Sequence, residues 1–193
     1  MSGQNPVTPS PDSLVASIKA ANTRGLPPVE KWDPPFSGDI DMEIRADGTW
    51  WHEGSQINRK KLVKLFSTIL IREGEKYFLV TPVEKVGIRV EDVPFIAVDF
   101  EATGSGSDQL LTFVTNLDDV TEAGADAPIR VERDPDSDEP SPYVLVRRNL
   151  EARIDRKSFY RLVELGVHHD GWFGVWSGGV FFAIIPSKDL PEG

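Results

Sequence analysis

Two stretches of this chain carry one pattern at a constant shift of 97 residues. Ile57-Asn58-Arg59-Lys60-Lys61-Leu62-Val63-Lys64-Leu65 aligns with Ile154-Asp155-Arg156-Lys157-Ser158-Phe159-Tyr160-Arg161-Leu162. Ile, Arg, Lys and Leu are identical at four positions; Asn or Asp supplies a helix N-cap, Lys or Arg a charge, and Leu or Phe a core residue. Each stretch follows a strand pair and precedes an aromatic strand. In a chain of 193 residues, long enough for one domain or two small ones, this spacing reads as an ancient duplication. The fold class that follows is α+β, with two similar units, each a helix packed on a curved antiparallel sheet. Antiparallel pairing is expected because the connections between strands are too short for crossover helices.

The punctuation of the sequence divides the rest. Residues 1–11 read as a loose tail. A helix follows, capped by Asp12 or Ser13, with Leu14, Val15, Ile18 and Ala21 on one face and Gly25 closing it. Four prolines in residues 26–38 mark an extended arm that lays Trp32 and Phe36 on the body. Residues 1–36 thus form a helix and arm, and 37–117 the first unit. In the first unit, Asp47-Gly48 is a hairpin turn, Asn58 a helix cap, and Leu62, Leu65, Phe66, Ile69 and Leu70 a helical face. Residues 118–139 hold nine acids against Arg130 and Arg133 and read as a solvated acidic linker or loop. Residues 140–193 form the second unit, with Asp155 as cap, Gly166 as helix stop, and aromatic strands around Ser177-Gly178-Gly179.

Composition removes several function classes. Cysteine is absent, so disulfides, thiol catalysis and Cys-ligated zinc are excluded. A net charge of −10 argues against a general binder of long nucleic acid. The longest apolar run, residues 180–185, is strand-sized, so no membrane helix is expected. Residues 1–11 have neither a basic residue nor an apolar core, so no export signal is read, and the cytoplasm is the expected compartment. The acidic segment lacks the spacing of a calcium loop, and adjacent His168 and His169 point to opposite faces when extended, so no metal and no cofactor are expected. No phosphate loop and no nucleophile elbow occur.

The repeat itself holds the most suggestive chemistry. Arg59 and Lys60 fall in the first turn of one helix, and Arg156 and Lys157 in that of the other. Cations there oppose the helix dipole at a cost of roughly 0.3–1 kcal/mol each. Where an anion binds, free N–H groups and basic side chains converge on it. The plainer reading is side chains reaching water or pairing with acids such as Glu53 or Glu151. Arg147, Arg148 and Arg153 extend the basic face of the second unit. If the two units face each other, a cleft rimmed by Arg and floored by aromatics results, which suits a phosphate and a flat base. Thr81 ends a strand, so Glu84 and Lys85 either project at a cleft rim or form a capped turn with a surface ion pair.

Several motifs together resemble one bacterial family, domain of unknown function 1285. They are Gly38-x-Ile40-x-Met42-x-Ile44, Asp47-Gly48-Thr49-Trp50, Gly54-Ser55-x-Ile57-x-Arg59-x-x-Leu62-Val63 and Leu79-Val80-Thr81-Pro82-Val83-Glu84-Lys85-Val86, with Val90-Glu91-Asp92-x-Pro94-Phe95 and Trp172-Phe173-Gly174-Val175-Trp176. The resemblance spans residues 36–186. It implies a duplicated core, a C-terminal half loosely like a pleckstrin-homology domain, a nucleotide-like ligand site between the halves, and a role in bacterial signalling. The motif positions it singles out are Trp50, Arg59, Thr81, Glu84, Asp92, Arg153, Arg156 and Trp176.

Three functional readings follow. In the first, a non-enzymatic ligand-sensing protein holds a small anionic, nucleotide-like ligand between its two units, with Arg59, Lys60, Arg153 and Arg156 on its phosphate or carboxylate and Trp50 or Trp176 stacked on a base. The second is a pleckstrin-like interaction module that takes a peptide or protein partner along a strand edge. The third is a hydrolase using Glu84, Asp92 or a histidine.

Overall fold

The computed structural model describes residues 8–21 and 24–191. Most of the expected loose tail, residues 1–7, lies outside these, as does the stretch 22–23 that follows the first helix. The chain divides between Asp92 and Val93 into two units.

The first unit opens with α1 (Pro11–Ala21), which buries Leu14 and Ile18. Its cap is Ser10, two or three residues earlier than expected: Ser10 Oγ accepts the Ser13 amide at 3.1 Å, and Ser13 Oγ accepts the Ser10 amide at 3.0 Å. This reciprocal pair satisfies two donors at the helix start. In the Pro-rich arm Trp32 is half-buried, but Phe36 is largely exposed, with its ring edge-on to Phe78 at 5.9 Å. Then come β1 (Phe36–Ile44), β2 (Trp50–His52), β3 (Ser55–Gln56), α2 (Lys60–Ser67), β4 (Leu70–Glu73), β5 (Lys76–Val80) and β6 (Lys85–Val90). The β1–β2 turn is the expected Asp47-Gly48, with Asp47 Oδ1 accepting the Thr49 amide at 3.0 Å and Gly48 at φ 85°. Asn58 is not the cap of α2; Arg59 takes that place without a side-chain bond.

The sheet order is β3-β2-β1-β6-β5-β4. Four of its pairs are antiparallel, but β1 and β6 run parallel. The sheet is therefore mixed, which corrects the antiparallel expectation. Short connections constrain consecutive strands only, whereas β2 to β5 and α2 intervene between β1 and β6. Met42, Ile44, Trp50, Phe66, Leu79 and Val86 form a core closed to solvent.

The second unit holds β7 (Phe95–Thr103), β8 (Leu110–Thr115), β9 (Val120–Glu122), β10 (Ile129–Arg133), β11 (Pro140–Arg147) and β12 (Leu150–Ile154) in one sheet, ordered β10-β11-β12-β7-β8-β9. It is mixed as well, because β12 and β7 run parallel. α3 (Arg156–Glu164) follows, then an antiparallel sheet of β13 (Val167–His169), β14 (Trp172–Ser177) and β15 (Val180–Pro186). Here Asp155 is the cap as expected, accepting the Ser158 amide at 2.8 Å.

The two units are similar, and the helix motif marks the frame of their likeness. β1-β2-β3-α2-β4-β5-β6 recurs as β10-β11-β12-α3-β13-β14-β15. β10 lies beside β15, as β1 lies beside β6. The turns after β4 and β13 both carry a left-handed glycine, Gly74 at φ 62° and Gly171 at φ 83°. Strands β7 to β9 stand outside this frame and join it through the β7–β12 pairing.

Two expected boundaries change. Residues 95–115 belong to the second unit, where β7 and β8 pair with each other and β7 with β12. The acidic segment 118–139 is not a linker or loop throughout, since it contains β9 and β10. Its acids hide a period of two. Thr121 and Ile129 turn inward while Glu122 and Glu132 face solvent, so the average charge masks two half-buried strands. Only residues 134–139 form an acidic turn, in which Asp134 Oδ1 accepts the amides of Asp136 and Ser137, each at 2.8 Å.

Candidate functional site

The second unit contains a cleft of about 360 Å³ where the β11–β12 hairpin meets the start of α3. Pro140 and Pro142 form one wall, Phe159 and Tyr160 another, and Arg153, Arg156, Asp155 and Glu139 supply charge. The pleat of β12 places Arg153: Leu150, Ala152 and Ile154 alternate into the core, which turns Glu151 and Arg153 outward. Arg153 sits opposite Tyr143 in the sheet, its guanidinium 5.9 Å from the ring centre. Arg130 is 4.2 Å from the same ring and is held by Glu151 through bonds of 2.7 and 3.0 Å. That paired carboxylate raises the Arg130 pKa above the usual arginine range. Glu151 thus engages Arg130, which fixes the edge of the Arg153 face.

Helix geometry places the rest. Arg156 is the first residue of α3 and is exposed. Tyr160 lies one turn later on the same side and is 62% exposed. Asp155 uses its carboxylate to cap Ser158, so it holds the helix start in place beside the two arginines.

Of the sequence-derived candidates, Arg153 and Arg156 line this cleft. Arg59 and Lys60 are exposed at the start of α2 in the first unit. Asp92 is half-buried at the end of that unit. Trp50 is a correction: it is 1% exposed, with its ring stacked on Phe66 at 6.3 Å, so it presents no face to a ligand. Trp176 is half-buried and packs on His169 at 4.9 Å and Phe181 at 5.4 Å. Thr81 is buried and closes its own turn, accepting the Glu84 amide at 3.1 Å. Glu84 is buried rather than projecting at a rim, and receives the Ser13 hydroxyl at 3.1 Å. Its neighbour Lys85 pairs with Glu73 at 2.7 Å.

Tyr160, Pro140 and Pro142 were not singled out from the sequence. Tyr160 had a legible signal, since it lies four residues after Arg156 within the repeated helix. The prolines had none, because their cleft-facing position depends on β11 pairing with β12. Among the histidines, His168 Nδ1 meets Ser187 Oγ at 2.8 Å, His52 lies near the Glu53 carboxylate, and His169 lies near Asp170 and packs on the rings of Trp176 and Phe181. Among the described residues no group of three His, Asp or Glu side chains is placed to hold a metal ion. No described helix is long and apolar enough to cross a membrane.

Asp47, Asp99 and Asp134 titrate below the ordinary aspartate value of 3.8, Asp47 through the Thr49 hydroxyl, Asp99 through Arg161, and Asp134 through the Ser137 amide. A depressed folded pKa gives stability that is present above the unfolded value and lost as pH falls through the folded one. Their contribution is therefore complete near neutrality and disappears only below about pH 4. In Thr49→Val, carboxyl titration by NMR should show the Asp47 midpoint rising toward its ordinary value. An unchanged midpoint would show that the hydroxyl does not hold it down.

Comparison with known proteins decides the family. The models for the N-terminal and C-terminal domains of the DUF1285 family, a domain of unknown function, match residues 27–93 and 94–184. The chain belongs to the DUF1285 family. The border between its two domain models falls beside the structural division at Asp92 and Val93. A crystal structure of a DUF1285 protein from Silicibacter pomeroyi DSS-3 is 56% identical, with a TM-score of 0.86, covering 92% of this chain and 97% of that one. A second, from Shewanella baltica OS155, is 32% identical with a TM-score of 0.49, covering 64% of this chain and 90% of that one. No curated protein matches the chain. The family confirms the resemblance seen in the motifs, and its description leaves activity open.

Proposed function

We propose that this DUF1285 protein is a non-enzymatic sensor that binds a small anionic, nucleotide-like ligand in the cleft at the start of α3. The observation that carries this reading is the convergence of Arg153, Arg156 and the exposed ring of Tyr160 on one cavity of ligand size. Two guanidiniums suit a phosphate or carboxylate, and an exposed tyrosine face suits a flat base. Arg156 has no ion-pair partner among the described residues, so its charge is available to a ligand. The pleckstrin-like character of the C-terminal half and a cytoplasmic role in bacterial signalling belong to this same proposal.

A thermal-shift screen of the full chain against nucleotides, cyclic dinucleotides and acidic metabolites tests it. A ligand at ~100 times its Kd adds ~2.7 kcal/mol and raises Tm visibly. Replacing either Arg153 or Arg156 by Ala should weaken binding at least about tenfold, since a charge-assisted bond contributes roughly 1.5–3 kcal/mol. Unchanged affinity in both variants would overturn the assignment.

A second reading rests on β13 and β14, where Val167 and Trp172 are 43% and 44% exposed. A stoichiometric protein partner lost in Trp172→Ser, together with a flat ligand screen, would favour an interaction module. Nucleotide or phosphoester turnover lost in Glu84→Gln would instead favour a hydrolase.

A further inference from the structure

We infer that the cavity between α1 and the β5–β6 loop of the first unit is a binding site for a primary alkylammonium group, with Glu84 as its counter-ion. The cavity has a volume of about 490 Å³ and is lined by Ser13, Ala16, Ser17, Ser37, Val83 and Glu84. Glu84 is 7% exposed, and among the described residues no lysine, arginine or histidine pairs with it. Its Oε1 receives the Ser13 hydroxyl at 3.1 Å, but that single proton also faces the Ser10 carbonyl at 2.9 Å. Its Oε2 accepts nothing from any described residue. Glu84 lines the cavity, so that oxygen of a largely buried residue is left to take a donor from it. The positive end of α1 lies against the carboxylate but satisfies none of its remaining lone pairs.

The repeat shows that the fold does not require this carboxylate. In the second unit β14 and β15 are joined by the two residues Gly178-Gly179, with Ser177 opposite Val180. In the first unit the matching pair is Val80 opposite Lys85, and four residues, Thr81 to Glu84, fill the loop. Thr81 locks the loop by accepting the amides of Val83 and Glu84 at 3.3 and 3.1 Å, which turns the Glu84 side chain inward. The longer loop thus does what the shorter one does and adds a largely buried carboxylate that opens on a cavity.

The neighbours select the ligand's chemistry. Ser17 Oγ has no hydrogen-bond partner among the described residues and supplies a second acceptor. Ser37 Oγ is already occupied, donating to the Pro35 carbonyl and accepting the Lys85 amide, each at 3.3 Å. Ala16 and the 68% exposed Val83 provide an apolar wall for a short alkyl chain. An ammonium with three N–H groups meets Glu84 and Ser17 while its chain lies on that wall.

Isothermal titration of the full chain with butylamine and 1,4-diaminobutane, with tetramethylammonium and sodium chloride as controls, tests the inference. The expected result is saturable 1:1 binding of the primary amines, weakened at least tenfold in Glu84→Gln and several-fold in Ser17→Ala, and unchanged in Arg156→Ala. Equal affinity for tetramethylammonium, or equal affinity in Glu84→Gln, would reduce the effect to screening of an acidic surface and overturn the site. If Glu84→Gln does not fold, amide NMR of the wild type decides. Amine-induced shifts at Ser13, Ser17, Val83 and Glu84 support the site, and shifts elsewhere or none refute it.

Discussion

Trp50→Ala should destabilise the first unit by about 3–5 kcal/mol, the cost of removing a large aromatic from a closed core. Trp50 starts β2, opposite Ile44 of β1, and its ring covers Phe66 of α2. It therefore ties the sheet to the helix, and its loss opens a cavity on both. The measurement is the midpoint of urea denaturation, with the slope checked for two-state behaviour. Trp50→Phe sharpens the test. The indole N–H is buried without a hydrogen-bond partner among the described residues, so removing it offsets part of the lost volume. The Phe variant should lose less than half of what the Ala variant loses. A stable Trp50→Ala protein that had lost anion binding would return Trp50 to the ligand site and refute the packing role.

Gly174→Ala should cost the second unit about 3 kcal/mol, at the upper end of ordinary overpacking. A β-carbon there would lie 2.1 Å from the Phe182 carbonyl oxygen and 2.9 Å from the Ala183 Cα, both backbone atoms that cannot rotate aside. The β14–β15 register shifts at this point, between Phe173 and Gly174, so the strands close around the missing side chain. Gly179→Ala is the control. Its β-carbon would meet nothing within 4 Å, and only the left-handed backbone at φ 79° opposes it. That strain is on the order of 1 kcal/mol. Melting temperatures should fall in the order Gly174→Ala below Gly179→Ala below wild type. Near-equal values for the two variants would mean that the β14–β15 bulge relaxes to admit a methyl group.

The repeated helix shows how far local pattern reaches. The shift between Ile57 and Ile154 marks the frame in which β4 and β13, and the left-handed Gly74 and Gly171, correspond. That frame was legible because caps, helical faces and glycine turns act over a few residues. Asp155, Asp47-Gly48 and the family motifs belong to the same class. So does the pairing of Arg156 with Tyr160, which four-residue spacing alone puts on one side of α3.

What the sequence could not determine was set by contacts between distant residues. β1 lies parallel to β6 and β7 to β12, and no local rule links strands separated by whole hairpins. The acidic segment has the net charge of a linker or loop, and its alternation becomes strand only because partner strands bury Thr121 and Ile129. Trp50 looked like a stacking platform because an aromatic beside a turn is ambiguous until the sheet shows which face it takes. Glu84 looked like a surface charge until α1 closed over it and gave its carboxylate a single shared proton. Residue spacing determined helices, turns and the repeat, since those depend on the chain's own periodicity. Tertiary structure alone decided which side chains lose water, because solvent exclusion is a property of what packs above a residue rather than what precedes it.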